Sequence, residues 1–322
     1  MGSLVTSALN SFASLLWATG TACARSLSKS KTRLPAKVIS IGNIQVGGAG
    51  KTPLVAYLAG QAHERGKQVC ILTRGYGAQW EKAGGVITPQ ESDLNPADCG
   101  DEALLLHELA PYAWIGVGAD RARQFHAVAD AIRAQGLPQI DLVILDDGFQ
   151  NHRLEKDLDI VALTSAHWGQ KIFRDFRSAL KKAHLLVWTK GDECPRALAK
   201  WGRPFVRVHM KLDPPFFASR FLLITGLADG AQARRSMEQA GYRIEKHLTF
   251  PDHARYASIV TQTIIDDART LGLKLLMTGK DWVKWRTLVG EQLKGSMIEV
   301  VEPQLRLDPE DEKIWNQVIW ES

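Results

Sequence analysis

Apolar residues run in short blocks along this chain, separated by polar and glycine-bearing stretches. KVISIG (37–42), QVCIL (68–72), AWIGVG (113–118) and DLVIL (141–145) each read as a strand. DIVAL (159–163), HLLVW (184–188) and PFVRVH (204–209) repeat the pattern. Between them, Lys51 to Arg65, DEALLLHELA (101–110) and Asp120 to Gln135 carry apolar residues at helical spacing. Residues 75–100 are rich in Gly, Pro and polar groups and read as a long loop. Apolar strands alternating with helices predict a mostly parallel sheet covered on both faces.

Near KLDPPFF the pattern is interrupted by Pro214 and Pro215. A second alternation follows: FLLITG, a helix, YRIEKHL, a helix from about Arg255, then KLLMTG. This predicts a larger α/β domain over 34–215 and a smaller one over 216–322. The first 24 residues carry no charged side chain, and Leu4, Ala8, Leu9, Phe12, Leu15, Leu16 and Trp17 fall on one helical face. A secretory signal carries its positive charge before the apolar run, whereas here the charge follows it. Residues 1–33 are therefore predicted as an interfacial, membrane-associated helix with a basic stretch, ahead of an ordinary packing helix. The start also fits M-G-x-x-x-[ST], a myristoylation pattern too short to weigh much.

Charge and composition sharpen this picture only in places. The chain has 322 residues, 45% apolar and 23% charged, which suits a globular protein with a substantial core. Its net charge of +5 is unevenly placed. The first acid is Glu64, preceded by Arg25, Lys29, Lys31, Arg33, Lys37 and Lys51. Such a basic arm suits an anionic partner. It lacks interleaved aromatics, so nucleic acid is not the expected one. Cys23, Cys70, Cys99 and Cys194 form no C-x-x-C pair and have no histidine at ligand spacing. They read as reduced thiols of a cytosolic compartment, without a structural metal.

The candidate chemistry begins at GNIQVGGAGKTP (42–53). It lies between a strand and a helix, the context a phosphate-binding loop requires, although Gln45 stands where the usual pattern has its first glycine. Gly47, Gly48 and Gly50 would shape the loop, so that backbone N–H groups and the helix start face the phosphates. Lys51 would reach the β- and γ-phosphates and the Thr52 hydroxyl would bind Mg²⁺. DLVILDDGF supplies the carboxylates such a site needs, Asp146 and Asp147, at the end of an apolar strand. Read alone, Asp-Gly is equally a turn signal. Beside the loop it reads as a metal and substrate pair.

GNIQVGGAGKTP, TRGYG, GDEALLL, VGADR, ILDDGFQNHRLEKDLDIV, SALKKAH, FPDH and GKDWVK follow one another in this order. Together they resemble the tetraacyldisaccharide 4′-kinase family of Gram-negative bacteria over residues 38 to about 285. The resemblance accommodates Gln45, since that family tolerates a non-glycine there. It implies a P-loop NTPase-like fold with a second, smaller α/β domain and a membrane-associated N-terminal helix. It implies phosphoryl transfer from ATP, with Mg²⁺, to the 4′-hydroxyl of an acylated glucosamine disaccharide lipid. The expected setting is the cytoplasmic face of the inner membrane, with the protein acting as a monomer. By motif match, Asp101 would be the general base and His253 its partner. Asp146 and Thr52 would serve the metal, Asp147 catalysis, and Gln150 would lie near nucleotide or acceptor. Without the resemblance, Asp101 reads as a helix-start charge and His253 as a surface histidine.

The sequence departs from the family in three places. The Pro/Gly-rich stretch that usually ends in P-L-R-E is replaced by WGQKIFRD, which aligns Arg174 and Asp175 with the Arg-Glu pair. Arg174 is thereby a candidate phosphate-facing charge. Ala254 follows FPDH where a second His is common, and Gly279 stands where Glu is common. The competing reading is a membrane-associated P-loop ATPase switch without a small acceptor. Such switches commonly carry a Lys before the paired glycines, where Val46 stands here.

Overall fold

The computed structural model describes residues 19–20, 31–45, 48–164, 173–190, 196–215, 218–227, 229–251, 254 and 256–321. The expected N-terminal membrane helix, Gly47 of the loop and His253 fall outside these residues.

Strands β1 (Lys37–Gly42), β2 (Val69–Thr73), β3 (Gly85–Ile87), β4 (Trp114–Val117), β5 (Leu142–Asp146), β6 (Leu158–Thr164), β7 (Leu185–Lys190), β8 (Phe205–Lys211) and β13 (Gln304–Leu307) make one sheet. Its order is β13-β8-β7-β6-β1-β5-β2-β4-β3. The pairings from β4 through to β8 are parallel, and only the edge strands β3 and β13 run antiparallel. The central strands are buried end to end, which is why they read as apolar runs without alternation.

Helices cover both faces. Helix α1 (Lys51–Glu64) buries Leu54, Val55, Leu58, Ala59 and Ala62, the i, i+4 spacing of one helical stripe. It packs beside α4 (Asp101–Leu109) in the largest core cluster. On the other face α5 (Arg121–Ala134), started by an Asp120 side-chain cap on Arg123 N, packs Phe125, Val128 and Ile132 against Leu72 and Trp114. Cys70 and Cys99 are buried free thiols in these cores.

Strands β9 (Arg220–Thr225), β10 (Arg243–Thr249), β11 (Lys274–Thr278) and β12 (Ile298–Val301) form a second sheet, ordered β10-β9-β11-β12 and parallel throughout. Helices α6 (Gly230–Gln239), α7 (Ser258–Thr270) and α8 (Gly279–Val289) pack on it. The chain then returns to the first sheet. β13 pairs with β8, and α9 (Pro309–Trp320) buries Trp315 and Ile319 in the main core. Trp315 Nε1 donates to Gln61 Oε1 at 2.6 Å, and Lys37 Nζ donates to the Ile319 carbonyl at 2.8 Å. Residues 304–320, which follow β12, thus associate with the first sheet.

The stretch 75–100 is not a plain loop. It contains α2 (Trp80–Ala83), β3 and α3 (Pro96–Cys99). Each is three or four residues long, too short to show a period, and each abuts a glycine.

The strand carrying the phosphate loop and the DDGF turn touch at Gly42. A Cβ there would lie 2.5 Å from Phe149 Cβ and 2.7 Å from Phe149 N. Gly42→Ala is expected to destabilise the fold by about 1–3 kcal/mol, as other overpacked core positions do. Urea unfolding of the purified variant measures it, and an unchanged midpoint would show that the turn yields freely.

Candidate active site

The carboxyl ends of the parallel strands converge on one edge of the first sheet, where open α/β sheets bind ligands. β1 leaves into Asn43, Ile44 and Gln45, all buried. The Gln45 side chain turns into the sheet. Its Nε2 donates to the Thr164 carbonyl at 3.4 Å, and its Oε1 accepts from Thr164 N at 3.3 Å. The side chain at the first loop position therefore ties the loop to the end of β6, which a glycine could not do. On the far side, Thr189 at the end of β7 donates to the Ala49 carbonyl at 2.9 Å. Gly50 precedes α1 at φ 67° with Met210 and Thr189 close by, so backbone and space both call for glycine. Gly48 is exposed, and an added Cβ there meets nothing within 4 Å. Lys51 and Thr52 open α1 directly after the turn.

Asp147 lies opposite. It is the one non-glycine residue with positive φ among the described residues, at 50°. Its Oδ1 lies 3.1 Å from Lys51 Nζ and its Oδ2 2.6 Å from Arg174 NH1. Burial works against its charge, but Lys51 and Arg174 together hold the carboxyl below the usual range. Asp146, at the end of β5, is 3% exposed and accepts from the Thr73 hydroxyl at 2.9 Å. Burial, with the charges of Glu102 and Asp147, pushes it up to about 6. Two adjacent carboxylates thus sit in opposite fields.

Arg174 reaches the cluster despite the altered sequence before it. Arg174 N donates to the Ile44 carbonyl at 2.8 Å, and Phe173 bridges Gln45 in antiparallel fashion. The segment is paired to the exit of the phosphate-loop strand itself. Gln150 is held at the same place, its Nε2 donating to the Asn43 carbonyl at 2.8 Å. Lys51 also donates to Asn43 Oδ1 at 3.2 Å.

Asp101 is the first residue of α4, behind Gly100 at φ 91°, and its Oδ1 accepts from Glu102 N at 3.0 Å. The Glu102 charge acts on Asp146, so this helix starts within electrostatic reach of the cluster. Of the FPDH motif, Phe250 and Pro251 are described, and Tyr256 follows three residues beyond it. Phe250 N donates to the Thr225 carbonyl at 2.7 Å, and Tyr256 donates to Asp281 Oδ1 at 2.9 Å. Asp281 is fully buried and also accepts from Gly226 N at 3.0 Å and Thr278 Oγ1 at 3.1 Å. One carboxylate therefore joins the ends of β9 and β11 to the segment leaving β10.

Gly279 has a structural account. A Cβ at this position would fall on the Glu302 carboxylate, which follows β12. Glu302 accepts from the Gly279 backbone, and its Oε1 is cut off from solvent. A carboxylate is thus present at the start of α8, supplied by another strand.

Asn43, Thr73 and Thr189 beside the cluster, and Asp281 at the edge of the second sheet, are residues that the motif reading does not single out. Each carries a signal nonetheless, since each is a polar residue at or just beyond the carboxyl end of an apolar parallel strand. Among the described residues, no helix is long and apolar enough to cross a membrane.

A family model described as tetraacyldisaccharide-1-P 4′-kinase matches residues 6–320. The tetraacyldisaccharide 4′-kinase of Geobacter metallireducens is 34% identical over 269 residues, 77% of this chain and 78% of its own length. That of Brucella anthropi is 32% identical over 295 residues, 87% and 83% of the two chains. The crystal structure of LpxK from Aquifex aeolicus in complex with ATP superposes with a TM-score of 0.74 at 25% identity, covering 98% of this chain and all of that one.

Two outcomes follow from the side chains that hold the loop and the second sheet. Gln45→Ala leaves the buried Thr164 N and carbonyl without their partners and is expected to cost about 1–3 kcal/mol. Thermal unfolding reads this, and a variant as stable as the parent would remove the tie from the account. Glu302 is pushed up to about 7 by burial; Glu108 and Asp281 add to the rise, while the Gly279 N–H and Lys294 oppose it. Its folded form holds the proton more tightly than the unfolded chain, so its contribution is favourable below about pH 4.5 and is lost as pH rises towards about 7. Glu302→Gln removes that loss. Relative to the parent it should gain stability between pH 5 and pH 8, on the order of 3 kcal/mol at most. Urea unfolding at the two pH values tests it, and parallel changes in both proteins would refute it.

Proposed function

The chain belongs to the tetraacyldisaccharide-1-P 4′-kinase family, and from that premise we propose how its own residues divide the phosphoryl transfer. The protein is an ATP-dependent 4′-kinase of lipid A biosynthesis. A switch ATPase without an acceptor has no support beside that match.

The observation that carries the residue assignments is the convergence of Lys51 and Arg174 on Asp147. Phosphoryl transfer spreads negative charge over the moving group, and its catalysis is mainly positioning and charge stabilisation. Two cations held by one carboxylate at the mouth of a phosphate loop are placed to exchange that carboxylate for phosphate oxygens. Asp147 keeps them oriented before nucleotide arrives. Gly47, Gly48 and Gly50 let the loop backbone enclose the phosphates, and Gln150 supports that backbone through Asn43.

The donors fit Mg²⁺, a hard cation that takes oxygen ligands. The Asp146 carboxylate and the Thr52 hydroxyl would hold it, and the ion would supply neutralising charge to the β- and γ-phosphates.

Asp101 is the base. It takes the proton of the acceptor 4′-hydroxyl as the new oxygen–phosphorus bond forms and the bond to the ADP oxygen breaks. His253 orients Asp101 in this scheme. The acceptor is a tetraacylated glucosamine disaccharide 1-phosphate. Because it is a lipid, we place the enzyme, as a monomer, at the cytoplasmic face of the inner membrane, with residues 1–33 as its interfacial segment.

The test is transfer of labelled γ-phosphate from ATP to that disaccharide in detergent micelles with Mg²⁺. Lys51→Ala and Arg174→Ala should each lower kcat by about 10²–10³, the effect of removing one preorganised charge-stabilising group. Asp101→Ala should lower it by about 10²–10⁴, with little change in KM for ATP. Turnover of the Asp101 variant at the parental rate would remove the base assignment. ATP hydrolysis without lipid labelling would remove the acceptor.

A further inference from the structure

We propose that the layer formed by residues 173–182 and 200–204 is a docking surface for an anionic lipid bilayer, which brings the Arg174 side of the site to an acceptor still seated in the membrane. This deepens the membrane setting proposed above and rests on it.

The layer has two distinct sides. Inward, Ala179, Leu180 and Ala183 pack with Trp188 and Leu198 against one face of the first sheet. Outward, Phe176 is 41% exposed, and Arg177, Lys181, Lys182, Lys200 and Arg203 are exposed around it. The pieces are joined, because Arg203 donates to the Lys181 carbonyl. The Arg177 guanidinium lies 4.9 Å from the Phe173 ring centre, which leaves its charge on the outer side of an aromatic platform.

The charge of this layer is of one sign. Among the described residues of this stretch, 173–190 and 196–211, the only acid is Asp175, and it is fully buried; Asp192 and Glu193 fall between them, outside the described residues. An ordinary solvated surface mixes both signs. A one-sign basic layer with an exposed aromatic ring matches an anionic interface, where Lys and Arg meet headgroups and the ring enters the boundary region. Its position supports the same occupant. Phe176 lies two residues beyond Arg174, whose guanidinium holds Asp147, and the segment is paired to the phosphate-loop strand through Ile44 and Gln45. A bilayer seated on Phe176 therefore lies beside the reacting groups. A soluble polyanion would use the charges but not the ring.

The test measures partition of the full chain onto vesicles of phosphatidylcholine alone and of phosphatidylcholine with phosphatidylglycerol. Each neutralised charge near an anionic surface should lower partition on the order of fivefold. Lys181→Gln/Lys182→Gln should then bind the anionic vesicles roughly 25-fold more weakly. Phe176→Ser should weaken binding to them as well. Phosphorylation of acceptor embedded in those vesicles should fall in parallel, while turnover in neutral detergent micelles stays at the parental level.

Equal partition of parent and variants would overturn the proposal, as it would if residues 1–24 alone held the chain at the membrane. A loss of heparin binding with vesicle partition unchanged would also overturn it, by showing an undirected basic surface. Failure of the kinase reading is separable, since it would appear as absent lipid labelling by the parent protein in micelles, whatever the partition.

Discussion

The site depends on one shared carboxylate. Asp147 holds both Lys51 from the phosphate loop and Arg174 from a segment more than a hundred residues later. Burial of a carboxylate is unfavourable unless it is paired, and here two cations offset that cost. The pairing in turn constrains the backbone. Asp147 takes φ 50°, a conformation disfavoured for a residue with a side chain, and a carboxylate so placed is consistent with local strain held by its surroundings. Gly148 beside it has no room for a Cβ, which would meet Leu145 Cβ at 2.5 Å and Ser40 Cβ at 2.9 Å. The DDGF turn is thus pressed onto β1 from both Gly42 and Gly148.

The same edge shows how neighbouring carboxylates acquire different properties. Asp146 and Asp147 are adjacent in sequence, yet one is pushed up and the other held down. Asp146 is buried and Asp147 half-buried, and burial raises both, so burial alone does not set the opposite directions. The difference is geometry. The left-handed turn aims Asp147 at two cations, while Asp146 continues the strand, takes the Thr73 hydroxyl and meets the Glu102 charge. A sequence of two aspartates acquires a division of labour from the direction in which each side chain leaves the backbone.

The second sheet repeats the arrangement with a different purpose. Its carboxyl edge gathers Gly226, Tyr256, Thr278 and Gly279, and Asp281 joins the first three through hydrogen bonds. Glu302 occupies the space that Gly279 leaves open. Away from this edge, Arg286 in the last turn of α8 pairs with Glu108 in the last turn of α4. The two sheets are therefore joined by a charged contact at the end of α4 opposite to Asp101.

The amino-acid order alone determined the alternation of strands and helices, the phosphate loop, the DDGF carboxylates and the family. These are carried by local period, by glycines where a turn requires them, and by motifs of fixed spacing. The short elements of 75–100 were not legible, because three or four residues display no period. The return of residues 304–320 to the first sheet was not legible either, since Trp315 and β13 find their partners far away in the chain. Tertiary structure alone decided that Gln45 binds Thr164, that Arg174 meets Asp147 and that Glu302 fills the place beside Gly279. Each is a contact between residues more than twenty apart in the chain, chosen by where the strands end in space, and spacing along the sequence carries no record of that.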